Sequence, residues 1–144
     1  MDISIGKGIN DFVFGQTENE IISIQGKPNK KYIDEFGDIY IKYNSLEITL
    51  KFEKENDYKL GWVETSNIKT KLLEFSPWKI KKEELIPKLS QILSESPEVE
   101  DYGSFESVTY NNSWVEFQFE YGKLKQINLG VLFDDQNNPK WPNA

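Results

Sequence analysis

The feature that most constrains the fold is a strict alternation of apolar and polar residues in two separate stretches. In residues 46–52 the apolar set is Leu46, Ile48, Leu50 and Phe52, and in residues 115–121 it is Val115, Phe117, Phe119 and Tyr121. Successive side chains of a β-strand point to opposite faces, so a period of two indicates strands that bury one face and expose the other. Such strands are typical of antiparallel sheets with one solvated face.

Further strands are predicted on both sides of these two stretches. They cover residues 38–43, 58–65, 105–110 and 124–133, and polar turns such as Asn44-Ser45 and Tyr121-Gly122-Lys123 separate neighbouring strands. Short turns between successive strands favour an antiparallel meander. The sequence therefore predicts three strands in each half of the chain.

A helix is predicted before each group of strands. Thr17 and Glu20 have the spacing of a capping box, and Gly26 with Pro28 ends the first helix. Residues 81–93 carry apolar side chains at helical spacing and predict the second helix. Pro87 should lie near the first turn of that helix or bend it.

The two halves can be aligned, because residues 43–53 match residues 110–120 with one extra Asn in the second turn. We therefore predict an α+β fold built from two helix-plus-three-stranded antiparallel meander repeats, with the helices packed on one side of the sheet. The first repeat spans 1–67. The second spans 68–144 and includes an irregular C-terminal tail. A chain of 144 residues is the size of one compact unit.

The composition excludes much enzyme chemistry. The chain has no His and no Cys, which removes the commonest general base, the thiolate nucleophile and the preferred zinc ligands. It has no phosphate-binding loop, and Gly6-Lys7-Gly8 is interpreted as a turn. We predict a non-catalytic protein with no metal and no cofactor. Paired carboxylates leave one enzymatic alternative, a carboxylate-based hydrolase.

The net charge of −7 suggests the kind of partner. An acidic surface repels a phosphate backbone and favours capture of a basic protein, so we predict a protein partner and no nucleic acid. The same charge also serves plain solubility. The sequence shows no secretory signal and no membrane-spanning stretch, which predicts a cytoplasmic protein with no membrane partner.

Alternation also predicts which side chains leave the core and form a candidate binding surface. Trp and Tyr side chains among carboxylates are typical of binding surfaces with aromatic anchors. The candidate anchors are Tyr40, Trp62 and Trp114, ringed by Glu47, Glu64, Glu116 and Gln118. The acidic loop with Glu98, Glu100 and Asp101 is the second candidate. In the alternative interpretation, Trp62 and Trp114 are buried against a loop or the other repeat.

The N-terminal region resembles a recurrent bacterial pattern. Residues 5–9 are followed by Phe14-Gly15-Gln16-Thr17 and Gly26-Lys27-Pro28, where the pattern has Phe-Gly-Met-Ser/Thr before an acidic helix start and Leu-Gly-x-Pro at the helix stop. Gln16 replaces the usual Met and Gln25 the usual Leu. This arrangement resembles domains of the beta-lactamase inhibitory protein type and the small outer-membrane assembly lipoproteins, in which helices pack on antiparallel sheet.

Many small proteins share the same pattern, and some of them are immunity proteins of polymorphic toxin systems. The resemblance implies an immunity protein that neutralises a basic toxin, such as a nuclease, in a one-to-one complex. An adaptor or regulatory binding domain is the other non-catalytic alternative, and the sequence does not separate the two.

Overall fold

The computed structural model describes residues 1–142. Its regular elements are twelve strands and two α-helices, with two short 3-10 turns at residues 54–56 and 77–79. In chain order they are β1 (Asp2–Ser4), β2 (Gly8–Ile9), β3 (Phe12–Val13), α1 (Glu18–Gln25), β4 (Lys30–Ile33), β5 (Ile39–Tyr43), β6 (Ile48–Glu53), β7 (Lys59–Thr65), β8 (Lys71–Leu72), α2 (Lys82–Leu93), β9 (Glu98–Asp101), β10 (Phe105–Tyr110), β11 (Val115–Glu120) and β12 (Lys123–Gly130).

The larger sheet has eight strands in the order β4-β5-β6-β7-β12-β11-β10-β9. Every neighbouring pair is antiparallel. Two four-stranded meanders therefore meet at the centre, where Glu64 of β7 pairs with Asn128 of β12 and Val63 pairs with Leu129. The pairing makes one continuous surface out of the two halves of the chain.

A second, smaller sheet has the order β3-β2-β1-β8. Its strands are two or three residues long, and β1 pairs in parallel with β8 through Ile3 and Leu72. The small sheet adds Ile3, Ile9, Phe12 and Leu72 to the hydrophobic core. It thereby ties the N-terminus to the segment between the two meanders.

One face of the large sheet is buried, and both helices contact it. The Tyr43 hydroxyl donates to the carbonyl of Gly26 at the end of α1, at 2.7 Å. The Tyr110 hydroxyl donates to the carbonyl of Ile86 in α2, at 3.2 Å. The core contains most of the predicted inward set: Ile48, Leu50, Phe52, Val115, Phe117 and Phe119 are buried, and Leu46 is half-buried. The prediction was wrong for Tyr121, which is 78% exposed in the turn after β11.

The sequence predicted both helices close to their observed positions. α1 begins at the expected capping box: the amide of Glu20 donates to Thr17 Oγ1 at 3.2 Å, and the amide of Thr17 donates to Glu20 Oε1 at 3.1 Å. α2 contains Pro87 in its interior. No helix within residues 1–142 is long and apolar enough to cross a membrane.

The predicted fold class was wrong. The structure is mostly β, with 42% of its residues in strands and 18% in helices, and it has two sheets, so it is not an α+β pair of helix-plus-meander repeats. The strands of the small sheet are too short to show alternation. β4 and β9 are exposed along their whole length. Neither face needs apolar residues, so their sequences show no alternation of apolar and polar side chains. These elements were therefore absent from the predicted repeat.

The predicted boundary at residue 67 stays a prediction. It falls between β7 and β8, and residues 143 and 144 of the second predicted unit lie outside the described residues.

Candidate binding face of the eight-stranded sheet

The side chains that alternate with the core form what we call the outer face of the large sheet. Register fixes its members, because directly paired residues share a face. One row of register partners crosses all eight strands: Lys30, Lys42, Thr49, Glu64, Asn128, Glu116, Thr109 and Glu98. Charge changes along this row from basic on β4 and β5 to acidic on β9 and β11.

The charges of neighbouring rows follow the same division, apart from Lys123, which is the register partner of Glu120. We call Lys30, Lys42 and Lys51 the basic end, and Glu98, Glu100, Glu116 and Glu120 the acidic end. The outer face is therefore a charge dipole about eight strands wide, which is roughly 35 Å.

Two tryptophans lie near the centre of the outer face. The rings of Trp62 and Trp114 are 5.6 Å apart between centroids and inclined at 62°, an edge-to-face contact. Trp114 belongs to the turn before β11, with φ of 52°. Its indole lies over the backbone of Gly130, where a Cβ would come within 2.0 Å of Trp114 Cδ1. Gly130 is thus the position that lets Trp114 reach its partner.

Both indoles are half-buried, so each packs on its neighbours and still presents part of its surface. The Trp62 Nε1–H donates to Glu64 Oε2 at 3.2 Å, which fixes the side chain of Glu64. The two sequence-based interpretations therefore each describe part of the arrangement. The tryptophans bury against each other, and the outer surface of the pair remains open.

Glu116 is the centre of a hydrogen-bond network, not a free surface acid. Its carboxylate accepts hydrogen bonds from Ser107 Oγ, from Gln118 Nε2 at 3.1 Å and from Asn128 Nδ2 at 2.7 Å. Asn128 is 3% exposed, and its Oδ1 accepts from Gln126 Nε2 at 2.7 Å. The network holds the polar side chains of β10, β11 and β12 in fixed positions.

The second predicted site lies on the edge strand β9. Glu98, Glu100 and Asp101 are all exposed. Glu98 and Glu100 are register partners of Thr109 and Ser107 on the outer face, whereas Asp101 pairs with Glu106. The sequence predicted a loop here. Within residues 1–142, β9 pairs only with β10, and its other edge has no strand partner.

Tyr40 and Glu47 lie apart from the tryptophans. Tyr40 stacks on Tyr32 with centroids 4.7 Å apart, and the two outer ring faces are covered by Lys30 at 5.2 Å and Lys51 at 5.4 Å. Glu47 is in the turn before β6 with φ of 55°, and it is exposed. The structure thus brings Trp62, Glu64, Trp114, Glu116 and Gln118 together on central strands and leaves Tyr40 and Glu47 on the basic side.

Sequence reasoning missed several outer-face residues. Alternation in β5 and β12 could have identified Lys42 and Asn128. Lys30 and Tyr32 carried no such signal, because β4 is an exposed edge strand.

Two pKa shifts occur where β6 ends. Desolvation raises the pKa of Glu53, with the Lys51 charge opposing the shift and the charges of Asp38 and Glu55 adding to it. Desolvation alone would lower the pKa of Lys51, but the contact with Tyr40 and the charges of Glu53 and Asp38 raise it. Glu53 and Glu55 line a hollow of about 460 Å³ against residues 133–139. Nowhere in residues 1–142 do three or more acidic side chains converge as a metal site requires.

Comparison with known proteins identifies the fold and no family. No protein-family model matches the sequence, and no curated protein matches it. A DUF4309 family protein from Bacillus subtilis subsp. subtilis str. 168 has a similar structure, with a TM-score of 0.54 and 13% identity over 88% of each chain. An extracellular protein with an SCP domain from Bacillus anthracis str. Ames is similar at a TM-score of 0.53 and 11% identity.

The match to the SCP-domain protein covers 93% of this chain and 50% of that protein, so this chain spans about half its length. At these identities the similarity concerns the fold alone. Neither structure bears on the resemblance to beta-lactamase inhibitory proteins or immunity proteins, which stays a prediction. The chain shares its architecture with these two Bacillus proteins.

Proposed function

We propose that this protein is a non-catalytic binding module that docks a protein partner on the outer face of its eight-stranded sheet. The observation that carries the proposal is the pair of half-exposed tryptophans, Trp62 and Trp114, held at the centre of a broad and otherwise polar surface. Tryptophan is strongly enriched among residues that dominate binding energy, and central positions ringed by polar groups are where such residues concentrate.

The acidic end supports a basic partner. Glu98 and Glu100 on β9 and Glu116 on β11 lie on the same face as the tryptophan pair, and the whole chain has a net charge of −7. Long-range attraction to a basic surface raises the association rate and orients the partner before contact. A one-to-one complex with a basic protein fits this surface best.

Neutralisation of a toxin is the specific role that we propose for such a complex. A nuclease toxin must itself bind phosphate, so its active site is basic, and an acidic protein seated on it would exclude the substrate. An adaptor that binds a regulatory partner is the alternative within the same class. One similar structure belongs to a protein described as extracellular, so the cytoplasmic location expected from the sequence stays a prediction.

The test is an interaction assay with the product of the neighbouring gene, since an immunity gene usually lies directly after its toxin gene. Trp62→Ala should weaken binding by about 2–4 kcal/mol, or roughly 30- to 1,000-fold in Kd, through faster dissociation. Glu98→Lys with Glu100→Lys should instead slow association and reduce its salt dependence. Glu116 is unsuitable for this test because its substitution would break the polar network.

The matched control is Glu83→Lys with Glu84→Lys. These exposed residues lie on α2, which packs on the buried side of the sheet, and the change in net charge is identical. The control should leave the association rate close to the wild-type value. A partner that binds with unchanged affinity and salt dependence in all three variants would exclude the outer face as the docking surface.

A carboxylate-based hydrolase is the second candidate, favoured by the raised pKa of Glu53 in its hollow. A carboxyl group whose pKa is raised by desolvation can act as a general acid, and Glu55 supplies a second carboxylate in the same hollow. Assays of glycoside and ester hydrolysis with wild type and Glu53→Gln decide between the candidates. Turnover that Glu53→Gln abolishes would overturn the non-catalytic proposal.

A further inference from the structure

The basic end of the outer face contains a groove that borders the tryptophan pair at Glu64 but otherwise lies outside it. Its volume is about 790 Å³, within the range of about 300–1,000 Å³ that is typical of small-molecule sites. The groove runs over β4, β5, β6 and β7, and Lys30, Lys42, Asn44, Ser66, Glu47 and Glu64 are among its lining residues.

Two lysines at one end of the groove face each other without a counter-charge. Lys30 and Lys42 are register partners on β4 and β5, and both are exposed. Among residues 1–142, neither forms an ion pair with a carboxylate. Like charges directly opposite each other destabilise a sheet pair, so the placement is unfavourable unless an anion is bound between them.

The other end of the groove has the opposite chemistry. Glu64 on β7 contributes a carboxylate at this end, and Glu47, in the turn between β5 and β6, contributes a second one between the two ends; carboxylates only accept hydrogen bonds when ionised. Glu64 Oε2 is used by Trp62, and its Oε1 accepts no hydrogen bond from residues 1–142. Glu64 also acts on Tyr32 on the opposite side of the groove. Desolvation raises the pKa of Tyr32, and the negative charge of Glu64 raises it further. A ligand at this end must carry hydrogen-bond donors.

The sheet fixes the distance between the two ends. Lys30, Lys42, Thr49 and Glu64 occupy consecutive positions of one cross-strand row. With neighbouring strands about 4.8 Å apart, Glu64 lies about 10 Å from Lys42 and about 14 Å from Lys30 along the sheet. Asn44 and Ser66 supply neutral polar groups along the same groove.

We propose that this groove binds a small elongated ligand with a single oxyanion group at the lysine end and hydrogen-bond donors, hydroxyl or ammonium, about 10 Å away at the glutamate end. A polyanion does not fit, because Glu47 and Glu64 would repel its second charge. Two kinds of molecule share the required chemistry. One is a sugar acid of disaccharide size, and the other is a zwitterionic peptide of about three residues, which spans about 10 Å when extended.

The experiment titrates the full chain with maltobionate, a disaccharide acid with a single carboxylate, and, separately, with trialanine, observed by amide chemical shifts in NMR. Maltose provides the neutral sugar control, and acetate provides the anion alone. At least one of the two probes should shift the amides of β4 to β7, and both controls should bind at least tenfold more weakly. Glu64→Gln distinguishes the two kinds of ligand, because it should weaken the binding of trialanine, whose ammonium group it would no longer attract, by at least tenfold and the binding of maltobionate by less than threefold.

Lys30→Gln with Lys42→Gln should weaken the bound probe at least tenfold. The matched control, Lys79→Gln with Lys81→Gln, removes the same charge next to α2 and should change affinity less than twofold. If the double variant does not fold, Lys42→Gln alone should still weaken binding at least threefold. The proposal is overturned if neither probe binds below about 10 mM, or if both lysine pairs have equal effects.

Discussion

At the scale of single residues, the outer face is organised by side chains that the alternation pattern sends away from the core. The alternation of side chains along a strand placed Trp62 and Glu116 on that face correctly. It did not reveal that Glu116 accepts hydrogen bonds from three side chains, because those donors come from three different strands. Nor did it reveal that Gly130 makes room for the Trp114 indole. Register, which short turns only partly specify, decides both contacts.

Replacing Glu116 by Ala should lower the free energy of unfolding by about 1–3 kcal/mol, because the donor of Asn128 would lose its acceptor in a buried position. Urea denaturation of both proteins measures the change. Glu120→Ala is the control, since Glu120 forms a solvent-exposed ion pair with Lys125 that contributes about 1 kcal/mol or less. Equal losses in the two variants would contradict the buried network.

Glu53 predicts a pH dependence of stability. Because desolvation raises its pKa in the folded state, the folded protein holds this proton more tightly than the unfolded chain. The protonated Glu53 carboxyl therefore contributes its full stabilisation below the pKa of Glu53 in the unfolded chain, which is about 4. This contribution is lost as the pH rises through the higher pKa of Glu53 in the folded protein. Glu53→Gln should therefore have a higher Tm than wild type at pH 7, and the difference should shrink towards pH 4.

A thermal denaturation series between pH 4 and pH 8 follows this difference. Glu74→Gln is the control, because Glu74 is exposed and is not among the charges that shift the pKa of Glu53. A difference between Glu53→Gln and wild type that grows as the pH falls would contradict the direction of the shift.

At the scale of elements, the sequence predicted the strands and helices that bury one face, because burial of one face leaves a regular spacing of apolar residues. The two alternating stretches became β6 and β11, and the capping box at Thr17 begins α1. The edge strands β4 and β9 escaped prediction, because neither face of an exposed edge strand requires apolar residues. The four short strands of the small sheet escaped because two or three residues cannot display a period.

Pro87 lies in the sixth position of α2, beyond the first turn, where proline has no N–H to donate to the carbonyl of Glu83. Proline in a helix interior costs about 3 kcal/mol relative to alanine, and its exposed ring makes little packing contribution here. Pro87→Ala should therefore raise the free energy of unfolding by about 1–3 kcal/mol, measured by urea denaturation.

The control substitution Gln91→Ala, also on the exposed part of α2, should change stability by about 0.5 kcal/mol or less. A Pro87→Ala protein that is less stable than wild type would contradict this prediction and would direct attention to the adjacent Ile86 carbonyl, which accepts hydrogen bonds from Ser90 and Tyr110. Tyr110→Phe combined with Pro87→Ala would then locate the coupling.

At the scale of the whole molecule, the prediction failed because it assembled the chain from two similar halves and gave no role to the segments between and before them. Residues 1–13 and 71–72 instead build a second sheet that joins the first strand of the chain to its middle. The long-range pairing of β1 with β8 carries no local signal in the sequence. The predicted count of three strands per half likewise omitted the two edges that make the sheet eight strands wide.

These long-range pairings predict that the two halves cannot fold separately. Cutting at residue 67 would separate β7 from β12 and β1 from β8, and would expose Val63 and Leu129, each 1% exposed in the intact chain. Each fragment would keep a free central strand edge beside an uncovered apolar face. Fragments 1–67 and 68–144 should therefore be largely unfolded alone, with poor dispersion of their amide NMR signals.

Mixing the two fragments should restore the fold, because every interaction lost by the cut can re-form between them. Trp62 and Trp114 lie on different fragments, so the near-UV circular dichroism of their contact reports reassembly directly. Trp114→Ala in the second fragment is the control, since it removes this signal while leaving the β7–β12 pairing available. Cooperative unfolding of fragment 1–67 by itself would show that the first half is an independent domain, and the predicted single compact unit would then be wrong.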